Sequence, residues 1–331
     1  MGRARATWLM VLVTLLWSTA GVITRQLSQA QGLEVTFWRS LYTLLALLLI
    51  LPAWRGPRVF AQVAWRSRVL WLSGLCWAVM FTAFMVALTL TGVARVLVTM
   101  AIGPLLTALL ARVVTGRRLP RHTWGAIGVA GLGMAWMFAG QLDRGADSGA
   151  VLGAVVALGV PVASAVNWTV TQHAQAQHEA VDLVPAVLLG ALLSAAATLP
   201  WAWPFAVSGP DLAWLAALGV GQLAIPCVLA VLVARVLPAA EVALLGLLEI
   251  VFGIALVWWL AGEAPRVEVL QGGALVLGAL LANEGLNRAR AAPAGGPPDS
   301  GTGPDGRAPA ALAPAAAPVV QAAMLPGGDA G

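Results

Sequence analysis

Thr115-Gly116-Arg117-Arg118 closes one long apolar run of this chain, and Ala261-Gly262-Glu263-Ala264 closes another. Gly116 and Gly262 are 146 positions apart. The same offset carries Arg25-Gln26, at the end of the first apolar stretch, onto Thr171-Gln172 at the end of the sixth. Ten such stretches fill residues 7–286, and the second five read as a diverged copy of the first five. Five is odd. Two five-span copies in one chain therefore cross a membrane in opposite senses.

Composition makes the membrane the solvent. Hydrophobic residues are 60% of the chain and charged residues 10%, at a mean hydropathy of +0.86. A soluble fold of 331 residues has no way to hide that much apolar surface. A spanning helix needs ~20 predominantly apolar residues. The runs place spans at 7–24, 35–52, 69–89, 93–113, 123–140, 150–171, 183–200, 212–234, 240–260 and 267–286. They are long and unbroken, where barrel strands alternate over ~10 residues. The expected fold is an all-α integral membrane protein of ten transmembrane helices, arranged as two inverted five-helix repeats. Its parts are a cytoplasmic N-terminus (1–6), a first repeat (7–140), an inter-repeat loop (141–149), a second repeat (150–290) and a tail (291–331). The tail, rich in Ala, Pro and Gly, has neither helical periodicity nor a core to join and reads as disordered and cytoplasmic.

The pI of 10.8 points at first to nucleic acid, and position argues otherwise. All 19 basic residues are arginines. Counted from an inside N-terminus, 14 lie on one side, and only Arg25, Arg95, Arg144 and Arg266 lie opposite, with Arg39 inside a span. This positive-inside bias puts both termini in the cytoplasm of a multi-pass cell-membrane protein. The basic loops orient the chain and meet anionic lipid, so membrane lipid, and no nucleic acid, is the expected partner. The first span follows Arg3 and Arg5 as a signal peptide would; its place in a five-span repeat argues for retention.

Small residues crowd Gly128-Val129-Ala130-Gly131-Leu132-Gly133 and Gly272-Gly273-Ala274. In lipid such stretches let helix backbones approach, so they read as packing faces. Pro104, Pro161 and Pro226 fall within spans. Each removes an intrahelical hydrogen bond, leaving a break or hinge beside a cavity, or a static kink repaired by neighbours. Cys76 and Cys227 sit in apolar spans without metal-ligand spacing and read as packing residues.

With Gly103-Pro104-Leu105-Leu106, Gly116-Arg117-Arg118-Leu119-Pro120, Leu248-Glu249, Gly262-Glu263-Ala264-Pro265 and Gly272-Gly273, the chain resembles the drug/metabolite transporter superfamily. It is closest in pattern to the EamA-type members with ten helices, and the resemblance covers roughly residues 7–288. Two departures stand out. The family's Gly-Glu is Gly116-Arg117 here, and its Glu-Pro in the ninth span is Glu249-Ile250. The resemblance implies a central cavity, alternating access, and export or exchange of small metabolites such as amino acids.

Glu249 is the leading candidate for chemistry. It lies about ten residues into the ninth span, ~15 Å along a helix and near the bilayer centre. A charge there costs ~2.5–3.5 kcal/mol or more. The carboxyl is therefore neutral, paired or facing a wet cavity, which suits proton coupling; the bland alternative bonds it to another helix. Arg39 either binds a substrate carboxylate, pairs with Glu249, or snorkels to the outer interface; Glu34 reads as interfacial. Trp17, Ser18, Tyr42, Asn167, Trp168 and Gln222 offer aromatic faces with a few amides and hydroxyls, a lining suited to a small amphipathic or cationic solute. The same residues also serve as interface belt or packing. Glu263 with Arg266 reads as a helix-end surface pair.

His173 and His178 are five apart, unlike an i, i+4 metal pair, and His122 stands alone, so no metal is expected. The chain has no lysine, which excludes a Gly-x-x-x-x-Gly-Lys phosphate loop. No cofactor is expected, and no nucleophile–base–acid set emerges. The reading is a secondary transporter of a small-molecule substrate, not an enzyme. Movement of lipid-linked or amphipathic cargo is the alternative within transport, and an integral-membrane enzyme the alternative outside it. Oligomeric state, substrate identity, direction and coupling ion are not written in these residues.

Overall fold

In hydrocarbon no water meets an unpaired backbone group, so apolar spans must satisfy their own hydrogen bonds as helices. The computed structural model describes residues 1–24, 26–28, 32–91, 93–116, 119–142, 148–176, 181–261 and 266–291. All the regular structure among them is helical. Arg25, Arg117, Arg118, Arg144, His178, the Gly262-Glu263-Ala264-Pro265 stretch and residues 292–331 lie outside the described residues. Residues 1–291 form one compact unit.

The first apolar segment forms α1 (Arg3–Ser18) and α2 (Ala20–Thr24), the next two α3 (Leu33–Arg55) and α4 (Arg68–Leu90). Ser67 caps α4, its hydroxyl accepting from the Leu70 N–H, as expected for serine at that position. The 93–113 segment is not one helix. It splits into α5 (Val93–Met100) and α6 (Gly103–Thr115), with a turn at Ala101-Ile102. Pro104 stands in the first turn of α6, where its missing N–H costs nothing. It therefore starts a helix rather than kinking one. Gly116 ends α6 in the left-handed region at φ 65°, its N–H donating to the Arg112 carbonyl. A Cβ would be strained there, which explains the glycine.

α7 (Arg121–Leu142), α8 (Ser148–Ala176) and α9 (Val184–Ala202) follow. The eighth segment is α10 (Gly209–Ala217), a π-helical stretch (Leu218–Ala224) and α11 (Ile225–Ala234). Pro226 sits in the first turn of α11. The ninth is α12 (Ala239–Gly246) and α13 (Leu248–Ala261), interrupted at Leu247, and α14 (Val267–Ala291) closes the unit. Among the described residues, eight helices are long and apolar enough to cross a membrane, and Gly103–Val114 is a shorter apolar helix.

The helices pack as α7 on α14, α4 on α8 and α9, and α3 on α9. At the first of these contacts, a Cβ on Gly133 would lie 2.8 Å from the Gly272 carbonyl oxygen. The close approach falls at Gly133 and Gly272, where the two backbones touch, while Gly128 and Gly131 in the same stretch have open space beside them. On the outside, Leu49, Val113, Leu132, Trp201, Trp259 and Leu281 are exposed. An apolar exterior over a close-packed interior is what lipid as solvent selects.

Charges gather at the two ends. At one end Glu241 accepts from Arg3 (2.5 Å) and Asn287 (3.0 Å), and the Asp182 carboxylate takes ion pairs from Arg55 and Arg235. At the other, Glu34 is buried and its Oε1 accepts from the Ala206 and Val207 N–H groups, both at 3.0 Å. Glu34 is therefore not a free interfacial side chain. It anchors the connection between α9 and α10. Ser28 donates to Asp211 beside it.

Candidate functional site

The helix interruptions at Ala101-Ile102 and at Leu247 open on one cavity. It holds about 160 Å³, small against the ~300–1,000 Å³ of drug-sized sites. Gly103 and Pro104 reach it from the start of α6; Gly246, Leu247 and Glu249 reach it from the α12–α13 junction. α1 contributes Trp17, α3 Arg39, α8 Pro161, Ser164 and Trp168, and the π-helical stretch Gln222. α4 supplies an aromatic wall of Trp77, Phe81 and Phe84. Trp77 meets Trp168 edge-on with ring centres 5.6 Å apart, an arrangement aromatic pairs favour.

Arg39 is 4% exposed, so it does not snorkel. Its Nη2 donates to the Phe81 carbonyl at 3.1 Å, and its head lines the cavity. Glu249, half-buried, lines the same space from α13. The two side chains act on each other electrostatically, yet no ion pair joins them. A buried guanidinium and a carboxylate held apart leave charged groups to meet a solute.

Arg39 is held by local geometry that its sequence neighbours explain. A Cβ on Gly219 would lie 2.5 Å from the Tyr42 Cβ and 2.8 Å from the Arg39 carbonyl oxygen. Only glycine allows the π-helical stretch to press so closely on α3. The Thr43 hydroxyl bridges the Arg39 and Gly219 carbonyls, at 2.8 and 2.9 Å. π-helical turns often occur at functional sites because they re-aim side chains. Here the turn carries Gln222, whose Nε2 donates to the Trp17 carbonyl at 3.4 Å.

Of the residues expected from sequence, Trp17, Arg39, Trp168, Gln222, Glu249, Pro104 and Pro161 line the cavity. Ser18, Tyr42, Asn167 and Pro226 do not. Ser18 turns its hydroxyl to the Leu15 carbonyl. Asn167 is fully buried and accepts from Ser73 at 2.6 Å. Each neighbours a tryptophan that does line the cavity, and a helix turns about 100° per residue, so adjacent positions face different ways. Tyr42 packs on Trp38 in a separate cluster with Leu215 and Leu218.

Sequence reasoning missed Trp77, Phe81, Phe84 and Cys227. The first three recur at i, i+4 and i+7, one face of a helix. That stripe was visible but looks the same whether it faces a cavity or a neighbour. Cys227, read as packing, lines the cavity.

Residues 4–139 match the model of the EamA-like transporter family. No curated protein matches the sequence. A solved structure titled "Crystal structure of protein" superimposes with a TM-score of 0.70, covering 87% of this chain and 99% of its own, at 20% identity. That likeness is one of fold.

Proposed function

We propose that this membrane protein, a member of the EamA-like transporter family within the drug/metabolite transporter superfamily, is a secondary transporter that exports or exchanges a small dipolar metabolite. The match to that family over residues 4–139, with eight helices among the described residues long and apolar enough to cross a membrane, supports a multi-pass cell-membrane transporter. The finer reading rests on one observation: a small cavity at two helix breaks, lined by an arginine and a glutamate that are not paired with each other. Such a pair suits a solute bearing both an acidic and a basic group, as an amino acid does, with aromatic walls receiving its apolar part.

Alternating access needs two halves that rock about the site. Several features support two inverted repeats of five spans. α5 ends at Met100 and α12 at Gly246, 146 positions apart, the same offset seen in the sequence. Contacts also recur in pairs: α4 on α8 has its counterpart in α11 on α1, and α6 on α8 in α13 on α1. In this reading Glu249 takes up and releases a proton as the halves exchange, and the arginine-rich end is cytoplasmic.

The test compares metabolites inside and outside cells expressing wild type, Glu249→Gln or an empty vector, at matched membrane levels. Accumulation of one amphoteric metabolite class outside only with wild type supports the reading. No change with wild type would overturn export and direct the next assay to uptake or lipid movement in liposomes.

A further inference from the structure

The charged knot at the Arg3 end sits on a short helix, α12. Glu241 lies in the first turn of α12, is 8% exposed, and accepts from Arg3 on α1 and Asn287 on α14. Arg3 also comes within 3.7 Å of Glu284 on α14. His122, in the first turn of α7, contacts the Asn287 Oδ1 through Nε2 at 2.8 Å. Because Asn287 donates its amide to Glu241, its oxygen must accept, which makes His122 Nε2 the proton carrier. One carboxylate thus ties together the ends of four helices.

α12 is eight residues long and stops at Leu247. Val242, Ala243 and Gly246 on it line the cavity. From Glu241 to Glu249 is ~12 Å at 1.5 Å per residue. α12 therefore forms the wall between the charged knot and the site, fastened at one end and jointed at the other. We infer that the Arg3–Glu241–Asn287 knot is the cytoplasmic gate of this cavity, and that breaking it lets α12 swing about Leu247 and admit the cytoplasm. The inference deepens the alternating-access reading and rests on it for direction. Losing Arg3 would leave the Glu241 charge stranded in a buried place, which favours the open arrangement.

The chain's own thiols supply the readout. It has two cysteines, and Cys227 lines the cavity while 1% exposed. In full-length Cys76→Ala protein, inside-out vesicles would be treated with 2-sulfonatoethyl methanethiosulfonate, a small membrane-impermeant thiol reagent. The rate of Cys227 modification would be followed by mass. Arg3→Glu and Glu241→Arg each raise that rate about tenfold by shifting the closed–open balance, and the double charge swap restores it. Asn287→Ala gives a smaller rise and carries the test if a charge reversal spoils folding, checked by size exclusion. Unchanged rates in folded single variants, or a swap that fails to restore, would overturn the gate. Transport is measured on the same proteins. Faster labelling without any transported metabolite would spare the gate and sink the transport reading, and the converse would do the opposite.

Discussion

Arg39 on α3 and Glu249 on α13 face the same cavity from different helices, and no ion pair closes the gap between them. Each has a cause for its position. Arg39 is steadied by the Phe81 carbonyl and by the close approach of Gly219 to its backbone. The Glu249 side chain makes no hydrogen bond among the described residues and lies in the first turn of α13, just after the helix interruption at Leu247. A solute that bridges them would replace water on both charges at once, which is how a site gains affinity from groups that are poorly satisfied without it.

Glu249→Gln keeps the shape and removes the charge. Transport by the variant in proteoliposomes falls about tenfold, roughly 1.4 kcal/mol of lost interaction, and its rate no longer varies with pH, because an amide at this position carries no exchangeable charge. A variant with wild-type rate and wild-type pH dependence would remove Glu249 from the mechanism.

Trp77 and Asn167 separate cavity lining from packing. Trp77→Phe keeps the ring against Trp168 but loses area over the cavity, so KM for the transported solute rises by about threefold to tenfold while thermal stability moves little. Asn167→Ala breaks the bond from Ser73 and lowers stability by ~1 kcal/mol, with KM unchanged. Reversed effects would mean the helix faces are misassigned.

Gly133→Ala tests the α7–α14 contact. The new Cβ meets the Gly272 carbonyl at 2.8 Å, so the backbones must part, at a cost of about 1–3 kcal/mol. Gly128→Ala on the same helix meets nothing within 4 Å and serves as the silent control. Equal melting temperatures for the two variants in detergent would contradict this packing.

Glu34→Ala frees the α9–α10 connection. Two N–H groups lose their acceptor, which costs ~1–3 kcal/mol if they stay buried. The segment 203–208 then becomes the first site cut by protease added from the outer side. Wild-type resistance would show that other contacts hold it.

How much was readable follows from what each residue's neighbours could tell it. Glu249 and Arg39 stood out because charge inside an apolar span is costly and so informative. Gly133 and Gly272 stood out for the same kind of reason: small residues concentrated in long side-chain surroundings mark a close approach. The Glu241 knot did not. Arg3, His122, Glu241 and Asn287 each sit near a span end, where any single charged or polar residue is ordinary. The break at Leu247 was equally silent, since no proline marks it, whereas Pro104 announced its counterpart.

The sequence by itself determined that this chain lives in lipid, that its backbone is helical, and which family it resembles. Those properties depend on segment length and average composition, and hydrocarbon permits few backbone solutions. Only the tertiary structure decided that Trp17 rather than Ser18, and Trp168 rather than Asn167, turns to the cavity, that Tyr42 turns away, and that Trp77, Phe81 and Cys227 join the site. Helices apolar on nearly every face carry no polar stripe to fix their rotation. Packing against neighbours sets that angle, and with it the identity of the site.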